Sequence, residues 1–199
     1  MKRLAGFSFL AVLVCSVAAP SQEAAVPTAH PYYPLKSGSE WTYKVQGGPI
    51  KVKVVGIEKV AGGLNGFKLE TSAASKVSAT EVVAVTAEGV QRFNVNGLTP
   101  DAPILFLPTD LDKTKEWNIG TKVSGQELKG TFKIDKESVT VPLGTYKDAI
   151  HVKGLDMTIG AAKTTIEYWF AKDVGIVKLK FSLGSQDATL ELEGYTAGK

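Results

Sequence analysis

Apolar and polar side chains alternate at every second position along most of the chain after residue 38. Successive side chains of a β-strand point to opposite faces of the sheet, so a run with this period has one dry face and one wet face. The clearest runs lie at residues 50–54, 67–71, 177–183 and 188–192. No segment keeps the 3.6-residue period of an amphipathic helix over a useful length. The pattern predicts an all-β protein with an antiparallel sheet.

Turn residues separate these runs at short intervals. Residues 46–49, 62–66, 87–89 and 172–175 each contain glycine, which supplies the positive φ that tight hairpins need. The short spacing favours successive hairpins over helical crossovers, and we expect about ten strands. Residues 100–107 carry two prolines and are expected to form a loop or a single turn.

The alternation changes phase at two places. Apolar positions are even up to Val54 but odd at Val55 and Ile57, and they change again between Ile134 and Val139. A β-bulge at each place would restore the facing of the side chains and would bend the sheet. We therefore expect one antiparallel, strongly curved sheet in the form of a half-barrel or open barrel.

The N-terminus has the layout of a secretory signal peptide. Lys2 and Arg3 precede an apolar stretch that is shorter than the roughly 20 residues needed to cross a bilayer, and small residues follow it. We expect a signal peptide over residues 1–21, a flexible tether over residues 22–31 and a single β domain over residues 32–197. The mature protein is then expected to be exported, periplasmic or extracellular, and soluble, with no transmembrane segment.

Cys15 is the one cysteine of the chain and lies inside the predicted leader. A lipoprotein signal requires a small residue where Val14 stands, so we expect Cys15 to be removed with the leader rather than lipidated. The mature chain would then contain no thiol and no disulfide.

Charge and composition argue against several classes of function. Without Lys2 and Arg3, 21 of the 23 basic residues remain against 20 acidic residues, a balance unlike that of nucleic-acid-binding proteins. The chain has no paired histidines at ligand spacing, and residues 110–116 lack the glycine and glutamate of a calcium hand. It also has no phosphate-binding glycine loop. We expect no metal, no cofactor and no nucleic-acid partner.

His151 is the candidate for acid–base chemistry within the predicted domain. It shares the polar parity of its strand with Lys153, and Asp148 or Asp156 is a formal partner. The other histidine, His30, lies in the predicted tether. Because no Gly-x-Ser-x-Gly elbow is present to hold a serine nucleophile, we expect His151 to be a solvated strand residue.

Aromatic side chains provide the candidate binding surface. The candidate ligand-binding residues are Trp41, Tyr43, Trp117, Tyr168 and Phe170. In residues 168–170, neighbouring side chains face opposite sides of the sheet, so Tyr168 and Phe170 share a face. Trp169 then lies on the outer, polar face, where we expect it to pack against a cross-strand neighbour.

Two segments carry a resemblance to a known group of proteins. Residues 141–150 read V-P-L-G-T-Y-K-D-A-I, and residues 168–178 read Y-W-F-A-K-D-V-G-I-V-K. They resemble the V-P-x-G-x-aromatic and Y-W-aromatic-A-x-x-V-G-x-V-K motifs of exported bacterial β-rich proteins of unknown function, and the similarity spans residues 32–195. Ala149 stands where that group often has a cysteine. The resemblance implies a curved antiparallel half-barrel, similar in fold to periplasmic lipoprotein carriers, and no catalytic residues.

These observations favour an exported, non-catalytic β-rich protein of the cell envelope or periplasm. Its expected partner is an apolar small molecule, a lipid or an envelope component, bound in the concave face of the sheet. Two alternatives stay open: a hydrolase that uses Asp or Glu and His151, and a surface adhesion or structural module. An open apolar interior favours ligand carriage, whereas an interior filled by side chains favours a structural role.

Overall fold

A computed structural model of the protein describes residues 29–184 and 186–199. They form a short 3-10 turn at Ala61–Gly63 and twelve strands: β1 (Glu40–Lys44), β2 (Ile50–Lys59), β3 (Asn65–Ala73), β4 (Lys76–Val85), β5 (Gly89–Val95), β6 (Ile104–Pro108), β7 (Glu116–Val123), β8 (Gln126–Val141), β9 (Gly144–Ile159), β10 (Ala162–Ala171), β11 (Gly175–Leu183) and β12 (Gln186–Thr196). The predicted signal peptide and residues 22–28 of the predicted tether lie outside the described residues. The described part of the chain holds no helix with the length and hydropathy of a membrane span.

All twelve strands belong to one antiparallel sheet, in the order β6-β5-β4-β3-β2-β1-β12-β11-β10-β9-β8-β7. Each strand pairs with its successor in the chain, except that β6 does not pair with β7 and β1 pairs with β12. Two six-stranded meanders are therefore joined through the first and last strands. The predicted fold class is confirmed, with twelve strands rather than about ten.

The sheet curls until its two edge strands, β6 and β7, face each other across a seam. In the described residues no strand ladder joins them. Side chains bridge the seam instead: Trp117 Nε1 donates a hydrogen bond to the carbonyl oxygen of Leu105 at 3.0 Å. The Thr121 hydroxyl donates to the carbonyl of Ala102 at 3.0 Å and accepts from its N–H at 2.9 Å. The result is a nearly closed barrel.

The edge strand β6 contradicts the expectation of a loop or single turn over residues 100–107. Residues 104–108 pair with β5, from Ile104 opposite Arg92 to Pro108 opposite Gly89. The two prolines on which the expectation rested, Pro100 and Pro103, both lie before the strand, and Pro108 lies at its end. Proline is tolerated at the ends of edge strands, where its missing N–H costs no ladder hydrogen bond.

The two-residue period correctly identifies the inner face of the barrel. Val54, Val177 and Leu192 are buried in the core, as their parity predicts. Both changes of phase coincide with breaks in strand register, one between Val54 and Gly56 and one between residues 137 and 139. The second restores the facing, since Val139 and Val141 are buried, but the first does not, since Val55 and Ile57 are exposed. These bulges help the long strands to bend around the interior.

Because every strand runs antiparallel to its neighbours, the turns alternate between the two ends of the barrel. The end with the turns after β2, β4, β6, β8 and β10 is filled by side chains, and we call it the packed end. Residues 30–39 pack against it, and Tyr33 fills its centre. The Tyr33 ring centroid lies 5.9 Å from that of Phe106, 6.1 Å from that of Phe170 and 6.0 Å from that of Trp41.

The folded unit begins earlier than the sequence predicts. His30 lies in the predicted flexible tether, but its side chain is only 2% exposed. Nε2 lies 3.1 Å from the carbonyl oxygen of Pro108, and Nδ1 accepts a hydrogen bond from the N–H of Tyr32 at 3.2 Å. The packed unit therefore includes His30, since both ring nitrogens have partners within it.

Candidate ligand cavity

The end opposite the packed end, with the turns after β1, β3, β5, β7, β9 and β11, is not filled, and we call it the open end. A first cavity of about 460 Å³ lies there on the seam side, between Leu98, Val123 and Ile159. A second cavity of about 580 Å³ lies on the β1–β12 side, between Ile50, Phe181 and Leu190. Both volumes are within the range of small-molecule sites. The inner face of the sheet is therefore concave, apolar and open at one end.

The five aromatic candidates occupy different parts of this interior. Trp41 and Phe170 belong to the packed end, where the Trp41 indole N–H donates to the carbonyl of Val174 at 2.6 Å. Trp41 also lines the second cavity, together with Tyr43, and Tyr168 lines both cavities. Trp117 lies at the seam. The structure thus brings Trp41, Tyr43 and Tyr168 to the cavities, whereas Phe170 has packing contacts and Trp117 bridges the seam.

Four residues line both cavities and form a ridge between them: Arg92, Val95, Ile166 and Tyr168. Arg92 is the central polar group of this ridge. Its Nε donates to Glu81 Oε2 at 2.5 Å, and its guanidinium carbon lies 4.7 Å from the ring centroid of Phe106. The Tyr168 phenol lies close enough to the guanidinium for the two groups to influence each other's pKa. A single ion pair thus lies where two apolar cavities meet.

Burial and neighbouring charges determine the protonation of Arg92 and of the tyrosines near it. Burial disfavours the charge of Arg92, but the electrostatic influence of Glu81 and Tyr168 and the hydrogen bond to Glu81 outweigh it and raise the pKa of Arg92. Burial also raises the pKa of the Tyr43 phenol, and the charge of Glu81 adds to that rise. The pKa of Tyr168 is raised by burial as well, although Arg92 opposes the rise. The cavities therefore present neutral phenols beside a cation–anion pair.

The backbone explains how the ion pair forms. Val83 of β4 lies opposite Arg92 of β5, and Glu81 lies two residues before Val83 on the same strand. Diagonal neighbours of this kind are within reach of long side chains. Both charged residues lie on the inner face, near the buried Val83 and Val90.

Sequence reasoning missed this pair. Neither Arg92 nor Glu81 is among the candidate residues that the sequence indicates. No local pattern marks the pair: residues 82–85 are apolar on both parities, and in residues 90–95 Val90 has the parity of Arg92 whereas Phe93 and Val95 have the other. The inner face of these two strands is set by their pairing, which shifts register between Val82 and Val83.

His151 lies on the outer face, as its parity predicts, but the expectation that it is solvated is wrong. Its side chain is 12% exposed, with Nε2 2.9 Å from Glu167 Oε2 and Nδ1 3.3 Å from Glu137 Oε1. The imidazole stacks on the indole of Trp169 with ring centroids 4.3 Å apart. His151 lines neither cavity.

Trp169 is covered by this outer cluster. It lies opposite His151 in the ladder, is 5% exposed and donates its indole N–H to Glu137. The predicted packing against a cross-strand neighbour is confirmed. The ammonium groups of Lys178 and Lys180 lie 5.9 and 5.5 Å from the Trp169 ring centroid, so a polar layer hides the ring from solvent.

Within residues 29–184 and 186–199, no three His, Cys, Asp or Glu side chains are placed to hold a metal ion together.

Comparison with known proteins identifies similar folds. The structure is similar to that of a Bacteroides fragilis protein described as exported and as having a YmcC-like fold, with a TM-score of 0.53 and 15% identity over 85% of this chain and 100% of that chain. A protein from Parabacteroides distasonis described as a lipoprotein has a TM-score of 0.47 and 13% identity over 84% and 99% of the two chains. No protein-family model and no curated protein matches the sequence. At 15% identity, the likeness to the Bacteroides fragilis protein shows a shared fold alone.

Proposed function

We propose that the protein is an exported, non-catalytic binding protein that holds an apolar small molecule inside its curved sheet. The observation that carries this proposal is the contrast between the two ends of the barrel. Large aromatic side chains fill the packed end, whereas the open end leaves apolar walls around two cavities. The same inward-facing strands build both ends, so the cavities arise from the choice of side chains.

The physical cost of the cavities supports a ligand. Apolar side chains such as Leu179 and Phe181 line the second cavity without protein atoms packed on one side of them. Leaving apolar surface in contact with water forfeits about 25 cal/mol for each Å² that could have been buried. A bound apolar molecule would recover that free energy, and a filled interior would avoid the cost altogether.

The geometry gives less support to the two alternatives. A hydrolase that uses His151 would need it beside a cleft, but His151 lies on the outer face between Glu137 and Glu167. A structural or adhesive role would be expected for an interior filled with side chains. Only the packed end is filled in this way. The leader-like N-terminus of the sequence supports export.

Binding of a neutral apolar fluorophore, N-phenyl-1-naphthylamine, to the protein purified from its exported fraction tests the proposal. Ala188 lines the second cavity, whereas Thr189 is exposed on the opposite face of β12. Ala188→Trp should weaken binding about tenfold, which corresponds to about 1.4 kcal/mol. Thr189→Trp is the matched control and should leave the affinity unchanged.

Mass spectrometry of small molecules that copurify with the protein provides a second measurement. We expect an apolar or amphipathic compound in the wild type and a reduced amount in Ala188→Trp. Absence of any fluorophore binding, or equal effects of the two tryptophan substitutions, would overturn the proposed function.

A further inference from the structure

The polar groups of the cavity ridge restrict the kind of ligand that fits. Among the residues that line the two cavities, Arg92 and Glu81 are the charged ones. The side chains are 19% and 23% exposed, and both face cavity space. A ligand that fills the second cavity must therefore lie against this pair.

The guanidinium has hydrogen-bonding capacity left over. It carries five N–H donors, of which Nε–H donates to Glu81. It forms no further hydrogen bond with the described residues. The remaining N–H groups of Arg92 thus face the cavity, and an N–H donor that loses water on ligand binding needs a new acceptor. The ligand should supply an oxygen at this point.

The charge of the pair decides which kind of oxygen is favoured. Glu81 already neutralises Arg92 at a distance of 2.5 Å. An anionic head would have to lie close to the Glu81 carboxylate between apolar walls, where solvent screens repulsion poorly. A cationic head would meet Arg92 in the same way. An uncharged oxygen accepts the free N–H groups without either repulsion.

The apolar walls decide the rest of the molecule. The ridge is flanked by the first cavity on one side and the second on the other, and both are walled mainly by aliphatic and aromatic side chains. Building on the proposed binding function, we infer that the ligand is an uncharged amphiphile. Its ester, amide or hydroxyl oxygen accepts hydrogen bonds from Arg92, and its hydrocarbon part fills the cavity.

Two competitors of equal chain length test this inference at pH 8: dodecanoate, which is an anion, and monododecanoylglycerol, which is neutral. Each is titrated against bound N-phenyl-1-naphthylamine. We expect the wild type to bind the neutral ester about tenfold more tightly than the carboxylate. Glu81→Gln removes the repelling charge and should bring the affinity for dodecanoate to at least that of the ester. Glu58→Gln, an exposed change of the same chemistry on β2, is the control and should retain the tenfold preference.

Because Glu81→Gln leaves Arg92 without its counter-ion and could impair folding, the double variant Glu81→Leu/Arg92→Met provides a second measurement. It should still bind the fluorophore. Its affinity for the ester should be no higher than the dodecyl chain alone provides, because the charged pair that contacts the head group is gone. Equal affinity for both competitors in the wild type, tighter binding of dodecanoate, or displacement by neither would overturn the head-group assignment while fluorophore binding upholds the proposed function. Loss of fluorophore binding in the wild type would instead refute the proposed function itself.

Discussion

At the scale of single residues, Gly175 shows how one missing Cβ allows the packed end to close. Its φ is +101°, and a Cβ at this position would lie 3.1 Å from the Tyr33 ring and 3.3 Å from Trp41 Nε1. Gly47 has nearly the same φ, +102°, but a Cβ there would meet nothing within 4 Å. The two glycines therefore separate backbone strain from packing strain.

We expect Gly175→Ala to lower the free energy of unfolding by about 1–3 kcal/mol more than Gly47→Ala. Both variants pay the cost of a non-glycine residue at positive φ, but only the first also displaces the rings of Tyr33 and Trp41. Urea denaturation of the two variants and the wild type measures the difference. Equal losses would show that the packed end accommodates a methyl group freely.

His30 connects the packed end to pH. Burial lowers the pKa of His30, although its hydrogen bond with Pro108 opposes the shift. The neutral ring satisfies both contacts, because Nε2–H donates to Pro108 and unprotonated Nδ1 accepts from Tyr32. In the unfolded chain the imidazole binds a proton below a pH of about 6.5. The unfolded state therefore takes up more protons than the native state as the pH falls.

Linkage then predicts the sign of the effect: the free energy of unfolding falls as the pH drops from 6.5 toward the native pKa of His30. The stability advantage of the wild type over His30→Gln should accordingly shrink between pH 7.5 and pH 5. Parallel stability curves over this range, measured by urea denaturation at each pH, would show that His30 stays equally easy to protonate in the native protein.

At the scale of elements, the two-residue period determines which side of each strand is dry, because burial of apolar side chains sets strand register. It also indicates the places of the bulges near Val54 and Val139, although it wrongly turns Val55 and Ile57 inward, because exposed apolar side chains disturb the pattern in the same way as a bulge. It fails for β6, where prolines at the margins hide a strand. It fails at His30, where a polar side chain is buried because the carbonyl of Pro108, far along the chain, provides a partner. Long-range partners of this kind leave no local pattern.

Trp117 contributes one of the hydrogen bonds that bridge the seam between β6 and β7. Trp117→Phe removes the indole N–H that donates to Leu105 and should cost about 1 kcal/mol of stability. The loss should be local, so hydrogen exchange of the β6 and β7 amides should accelerate more than that of β1. Lys133→Gln, an exposed change on β8, serves as the control. Uniform acceleration across all strands would show that the seam opens only with global unfolding.

At the scale of the whole molecule, the alternation of apolar and polar residues predicts a concave interior. It does not predict whether side chains fill that interior. Alternation places Ile50, Leu179 and Leu190 on the inner face without showing whether other side chains reach across to them. Whether the interior is filled depends on which strands face each other across it. That arrangement is set by the closure of the sheet between β6 and β7, in the middle of the chain. Neither the Arg92–Glu81 pair nor the two cavities on either side of it can be identified from the alternation alone.

An unfilled interior also sets the balance between stability and binding. Ala188→Trp places an indole in the second cavity and should leave the ligand-free protein at least as stable as the wild type, because it buries apolar surface that is otherwise open.

With N-phenyl-1-naphthylamine at a hundred times its dissociation constant, the wild type should gain about 2.7 kcal/mol of stability. The variant should gain much less from the same concentration. Thermal unfolding with and without the fluorophore, with Thr189→Trp as the control, measures both quantities. A marked loss of stability in ligand-free Ala188→Trp would mean that the open end is packed too tightly to hold an indole. The unfilled cavities would then cost the barrel no stability.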